Sequence, residues 1–130
     1  VILIEAKERG CDEMGCGHFG ASRGTRKHNG IDYCASPGDN ICTNVAGSIT
    51  KLGYTYSDDL SYRYVEVTDS EKQRHRFFYV NPEVSLGDLV SRGDVIGTAQ
   101  DIAIRYAHKG NMKNHVHYEM KDESGKFIEP

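Results

Sequence analysis

Nowhere does this chain repeat its apolar residues at helical spacing beyond a turn or two near Asp101 to His108, so its fold has to be built from strands. The apolar residues come in short alternating runs that end on turn residues. Tyr62-Arg63-Tyr64-Val65-Glu66-Val67 alternates with period two. After a polar turn at Thr68 to Gln73, Arg74-His75-Arg76-Phe77-Phe78-Tyr79-Val80 reads as its hairpin partner. Ile41 to Leu52 reads as strand around a break at Gly47. The Gly87-Asp88 and Gly93-Asp94 turns bracket Leu89-Val90, Val95-Ile96 continues the meander, and Pro82 ends a strand. Gly15 to Gly30 carries five glycines and reads as a long structured loop. The expected class is all-β, a single antiparallel domain over 1–130.

A chain of 130 residues suits one domain. With 38% hydrophobic residues, 14 Gly and no Trp, that domain is thin and rich in turns. Sixteen Lys and Arg against nineteen Asp and Glu leave a formal charge of -3, no footprint for a nucleic acid. Val1-Ile2-Leu3-Ile4, the longest apolar run, is far short of the roughly 20 residues a membrane span needs. It also lacks the basic region and cleavage site of a signal peptide.

Four cysteines fall in the first third of the chain. Spacing favours pairing Cys11 with Cys16 and Cys34 with Cys42, the second closing a loop whose chain entropy is worth about 2.5 kcal/mol. The competing reading, a four-thiolate zinc site, lacks the short C-x2-4-C spacing at both ends. Disulfides imply an oxidising compartment.

The histidines carry the chemistry. In His115-Val116-His117-Tyr118-Glu119-Met120, period two puts His115, His117 and Glu119 on one face and Val116, Tyr118 and Met120 on the other. The two imidazoles stand about 7 Å apart along a straight strand, which favours one as metal ligand and the other addressing substrate or water. His28 and Asp32 would be about 13 Å apart in a straight strand. Gly30, by taking a positive φ, would fold the chain and bring them to one point. His28, Asp32 and His117 then form the two-imidazole, one-carboxylate set of a catalytic zinc, one ion per chain. Glu119 or Asn114 would accept a ligand's free N–H.

These residues resemble the M23 family of zinc metallopeptidases, the lysostaphin and LytM-like cell-wall endopeptidases. The marks run from about Gly17 to Pro130. They are Arg23 followed by His28-x3-Asp32, Ser36-Pro37-Gly38, Val45-Ala46-Gly47-Ser48-Ile49, the segment from Val84 through Gly87-Asp88 and Gly93-Asp94 to Gly97, His115-Val116-His117-Tyr118-Glu119, and Gly125-Lys126-Phe127-Ile128-x-Pro130. The resemblance implies two antiparallel sheets with a groove over a zinc held by His28, Asp32 and His117, residues 1–16 forming a disulfide-stapled extension. It makes His115 the catalytic histidine of a peptidase that hydrolyses peptidoglycan cross-links. One position departs: where active members carry Tyr-x-His, this chain has Tyr79-Val80-Asn81. Asn81 donates through its amide but carries no proton. His75, about 20 Å back along the strand, cannot substitute, and His108 is the other histidine near enough in sequence to consider.

Cys11-Asp12-x2-Gly15-Cys16-Gly17 is similar to a secreted animal branch of the family, in which this cysteine pair is bonded and the Tyr-x-His histidine is also missing. That branch acts as a ligand without peptidase activity. Two readings follow: a zinc endopeptidase weakened at Asn81, or an inactive zinc-binding domain whose partner is a protein. Either implies an extracellular, periplasmic or virion-associated site of action. Tyr54, Tyr56, Tyr62 and Tyr64 are candidate groove walls, set against a plain role as strand-surface tyrosines.

Overall fold

The computed structural model describes residues 7–12, 15–23, 26–27, 29–108, 110 and 112–130, with backbone alone for 22–23 and 26–27. Short strands dominate. β1 (Cys11–Asp12) and β2 (Gly15–Cys16) form a hairpin, as do β3 (Ser22–Arg23) and β4 (Arg26–Lys27), within the segment expected to be a loop. The main strands are β5 (Ile31–Cys34), β6 (Asn40–Cys42), β7 (Gly47–Tyr54), β8 (Arg63–Thr68), β9 (Arg74–Phe78) and β10 (Val80–Pro82). They continue with β11 (Leu89–Val90), β12 (Val95–Ala99), β13 (His115–Lys121) and β14 (Phe127–Ile128), and a 3-10 turn at Ala103–Tyr106 fills the expected helical spot. Among the described residues no helix is long and apolar enough to cross a membrane.

Two antiparallel sheets carry the fold. The larger runs β11-β7-β8-β9-β13-β14, with β5 also paired to β13, and the smaller runs β10-β12-β6. Ile41, Val80 and Ile96 from the small sheet are fully buried with Ile49, Val65, Val67, Phe77 and Val116 from the large one, so the core lies between the sheets. Removing such a side chain to Ala costs about 2–5 kcal/mol, which fixes the sheets against each other.

The turns follow from local chemistry. Ser36-Pro37-Gly38-Asp39, Ser85-Leu86-Gly87-Asp88 and Ser91-Arg92-Gly93-Asp94 share one construction. In each the Ser N–H donates to the Asp carboxylate, at 3.0, 2.8 and 2.8 Å, and the Asp N–H returns to the Ser carbonyl. The glycines take φ of +89, +87 and +95°, which a residue with a Cβ adopts only at a cost.

Three expectations need correction. Arg74 to Val80 is not one strand. Tyr79 adopts φ +68°, its N–H donating to the Arg63 carbonyl, and there the chain leaves the large sheet for the small one. Cys34 and Cys42 are not bonded to each other; both remain thiols, because β5 enters the large sheet and β6 the small one. Cys11 and Cys16, directly opposed in the first hairpin, do form the expected disulfide. Gly30, thirdly, has no positive φ. A Cβ there would lie 2.2 Å from the Tyr118 carbonyl oxygen and 3.0 Å from His117 Cε1, so the glycine serves the close approach of the chain to β13.

Candidate metal centre

The pairing of β5 with β13 builds the site. Its register sets His117 opposite Asp32 and His115 opposite Cys34, and directly opposed residues put their side chains on one face. Asp32 Oδ1 thus lies 3.0 Å from His117 Nδ1. His117 Nε2 lies 3.0 Å from Glu119 Oε1, two residues along the same face, as strand alternation requires. His115 Nε2 points the same way, 3.6 Å from Asp32 Oδ2. The two motifs that the sequence shows 85 residues apart therefore meet through one strand pair.

Each imidazole has a defined state. His115 Nδ1 lies 2.7 Å from the Lys113 carbonyl and must donate to it, leaving a lone pair on Nε2. Burial lowers the His115 pKa, outweighing the upward pull of Asp32, so the ring is neutral at neutral pH. His117 behaves oppositely. Burial opposes its charge, but hydrogen bonds to Asp32 and Glu119, reinforced by both carboxylate charges, push it up to about 9. A ring between two carboxylates holds a cation, and the proton it keeps is what a metal would displace.

Two of the three expected donors, Asp32 and His117, are described, and their chemistry is that of zinc ligands. Ligand atoms 2.0–2.1 Å from tetrahedral zinc lie roughly 3.3 Å apart, close to the Asp32–His117 spacing. Glu119 behind His117 completes the carboxylate–histidine arrangement that fixes a ligand's tautomer. His28, the expected third ligand, lies outside the described residues, and among the described residues no three His, Cys, Asp or Glu side chains are arranged so that they could hold one metal ion. Asn114 does not take the accepting role; its Oδ1 takes the Ala103 N–H at 2.9 Å.

Aromatic rings back both histidines. Phe78 meets His117 edge-on at 5.3 Å and stacks on Tyr64, while Tyr79 meets His115 edge-on at 5.4 Å and packs with Tyr56 and Tyr62. Tyr56, Tyr62 and Tyr64 thus stand one ring behind the site, and Tyr54 is an exposed strand tyrosine under Arg63. Burial pushes the Tyr79 phenol up to about 12, so it keeps its proton.

Other candidates fall elsewhere. Asn81 is exposed in β10, opposite Thr98, and among the described residues no hydrogen bond links its side chain to Asp32, His115 or His117. His108 is exposed beyond the 3-10 turn. His75 is buried in a separate network, with Nδ1 2.5 Å from the Tyr118 hydroxyl and Nε2 2.8 Å from Asp69. Two site residues were missed in the sequence, Tyr79 and Arg9. Arg9 Nη1 lies 2.8 Å from Asp32 Oδ2, with both side chains 2% exposed. Tyr79 sits in the Tyr-x-His position; nothing in the sequence around Arg9 points to Asp32.

Comparison with known proteins shows the family and the fold. The profile of "Peptidase family M23" matches residues 26–130. Leukocyte cell-derived chemotaxin-2 of Mus musculus is 27% identical over 121 residues, 89% of this chain and 74% of that protein. Among solved structures, the catalytic domain of the antimicrobial peptidase lysostaphin from Staphylococcus simulans matches with TM-score 0.67 at 18% identity, over 93% of this chain and 84% of that one. A mutant catalytic domain of the prophage-encoded M23 protein EnpA from Enterococcus faecalis matches with TM-score 0.65 at 18% identity, covering 89% of this chain and 87% of that one.

Proposed function

The chain belongs to peptidase family M23, and from that premise we propose that it is a zinc metallo-endopeptidase acting on the peptide cross-links of peptidoglycan. The observation that carries the reading is the convergence of Asp32 Oδ1 and His117 Nδ1 at 3.0 Å, with Glu119 on the far nitrogen of the same ring. Asp32, His117 and His28 would hold the ion. When bound, zinc supplies Lewis acidity at the scissile carbonyl and a lowered pKa for the attacking water.

The chain's own groups do the rest. Neutral His115, its Nδ1–H tied to the Lys113 carbonyl, offers the Nε2 lone pair to take a proton from that water. Glu119 keeps His117 in the tautomer that presents Nδ1. Tyr79, protonated throughout the neutral range, packs beside His115 and fixes its ring. Asn81 stands, exposed and, among the described residues, without a hydrogen bond to Asp32, His115 or His117, where active members carry a histidine, and the missing histidine is a loss on the order of 10²–10³ in rate by analogy with removing one oxyanion donor. The disulfide suits an extracellular, periplasmic or virion-associated setting.

Asn81 favours one further reading, a zinc-stabilised domain that binds a protein partner and turns nothing over. Purified peptidoglycan and a pentaglycine peptide separate the two. Slow cleavage is expected, abolished by chelation, restored by zinc and lost in His115→Ala, with Asn81→His raising the rate at least about 10-fold. Cleavage indifferent to chelation and to His115→Ala sinks the mechanism. Zinc-loaded protein with no turnover, even as Asn81→His, supports the binding domain.

A further inference from the structure

We propose that Arg9 is a positioning residue for the metal centre: held by the disulfide-closed hairpin, its guanidinium occupies Asp32 Oδ2 and so leaves Oδ1 as the oxygen that faces the metal. The inference rests on the reading of Asp32 as a ligand and adds a residue outside the 26–130 match.

The shortest contacts divide the carboxylate, although His115 Nε2 also lies 3.6 Å from Oδ2. Arg9 Nη1 takes Oδ2 at 2.8 Å, while His117 Nδ1 faces Oδ1 at 3.0 Å. The rest of the guanidinium fork is anchored on Asp12, Nε to Oδ2 at 2.9 Å and Nη2 to Oδ1 at 2.7 Å. One planar group therefore spans two carboxylates, which the point charge of a lysine cannot do with the same orientation.

The hairpin brings this fork to the site by backbone contacts as well. Arg9 N–H donates to the Asp32 carbonyl and Asp32 N–H to the Gly17 carbonyl, both at 2.7 Å. Gly17 permits that approach, since a Cβ there would lie 2.8 Å from Asp32 Cβ. Asp12 also accepts the Lys113 N–H at 2.9 Å, and the Lys113 carbonyl is the group that orients His115. The Cys11–Cys16 bond closes the loop carrying Asp12, so a single staple supports the alignment of both Asp32 and His115.

The test compares Arg9→Lys, Asp12→Asn and Asp32→Asn by zinc competition against a chelator, and by the visible spectrum of the cobalt-substituted protein. Arg9→Lys retains the charge but not the fork; zinc binding should weaken about 10–100-fold, the usual cost of losing a group that orients a ligand. The cobalt bands should change too, because a released Oδ2 alters the coordination. Asp12→Asn keeps Arg9 and Asp32 but loosens the fork, and should weaken zinc several-fold; it carries the test alone if Arg9→Lys does not fold. Unchanged or tighter zinc binding with an unchanged cobalt spectrum overturns the proposal. Asp32→Asn separates the two levels. If it abolishes zinc binding while Arg9→Lys and Asp12→Asn do not weaken it, only this inference falls. If it binds zinc like the parent protein, the reading of Asp32 as a ligand falls.

Discussion

Replacing Glu119 by Gln keeps the side chain's shape and removes the charge 3.0 Å from His117 Nε2. In the metal-free protein the His117 pKa is raised to about 9, against an ordinary 6.5. That difference is worth about 3 kcal/mol. A raised pKa stabilises the fold while the ring is protonated: the contribution is full below about pH 6.5 and is lost as pH rises through about 9. Asp32 supplies the larger share of the upward push and Glu119 the smaller. The loss of stability between pH 6 and pH 10 should therefore be smaller in the variant than in the parent protein, with His117 titrating nearer 6.5. Zinc affinity should fall about 10–100-fold in the same variant. Urea melts of chelator-treated protein at the two pH values, with NMR titration of the His117 ring, measure the first effect and a competition assay the second. A His117 that titrates near 6.5 in the parent protein, or one unmoved by Glu119→Gln, refutes the reasoning.

Gly30→Ala should cost about 1–3 kcal/mol in a urea melt and weaken zinc, because the added Cβ meets the Tyr118 carbonyl and His117 Cε1; a neutral result would show that the chain does not approach β13 so closely. Tyr118→Phe should cost about 1–3 kcal/mol by stranding His75 and Asn44, both hydrogen-bonded to the lost hydroxyl, with little change in zinc affinity because Tyr118 faces away from Asp32. A marked loss of zinc would contradict that separation of faces. Alkylation of the unfolded, unreduced protein should add two groups by mass, at Cys34 and Cys42, and four only after reduction; no addition before reduction would mean that those two are oxidised after all.

What could be read from the sequence was what short-range chemistry decides. The S-x-G-D turns are closed within four residues, and the shared face of His115, His117 and Glu119 follows from strand alternation alone. The pairing of β5 with β13 then joins Asp32 to His117, which the family resemblance anticipated and the register explains. Long-range geometry was not legible. Cys34 and Cys42 are near in sequence, yet the chain changes sheets between them. Gly30 suggests a turn because glycine permits one, whereas its missing Cβ matters for packing against β13. Arg9 meets Asp32 across 23 residues, through a backbone ladder that no local pattern announces.

The claim at the centre of this account is that Asp32 and His117 hold a zinc ion. Its most direct test is the metal content of the purified, folded protein beside that of Asp32→Asn, measured by mass spectrometry of the elements. About one zinc per chain is expected in the first and almost none in the second. Folded protein without zinc, or an Asp32→Asn variant that retains it, contradicts the account.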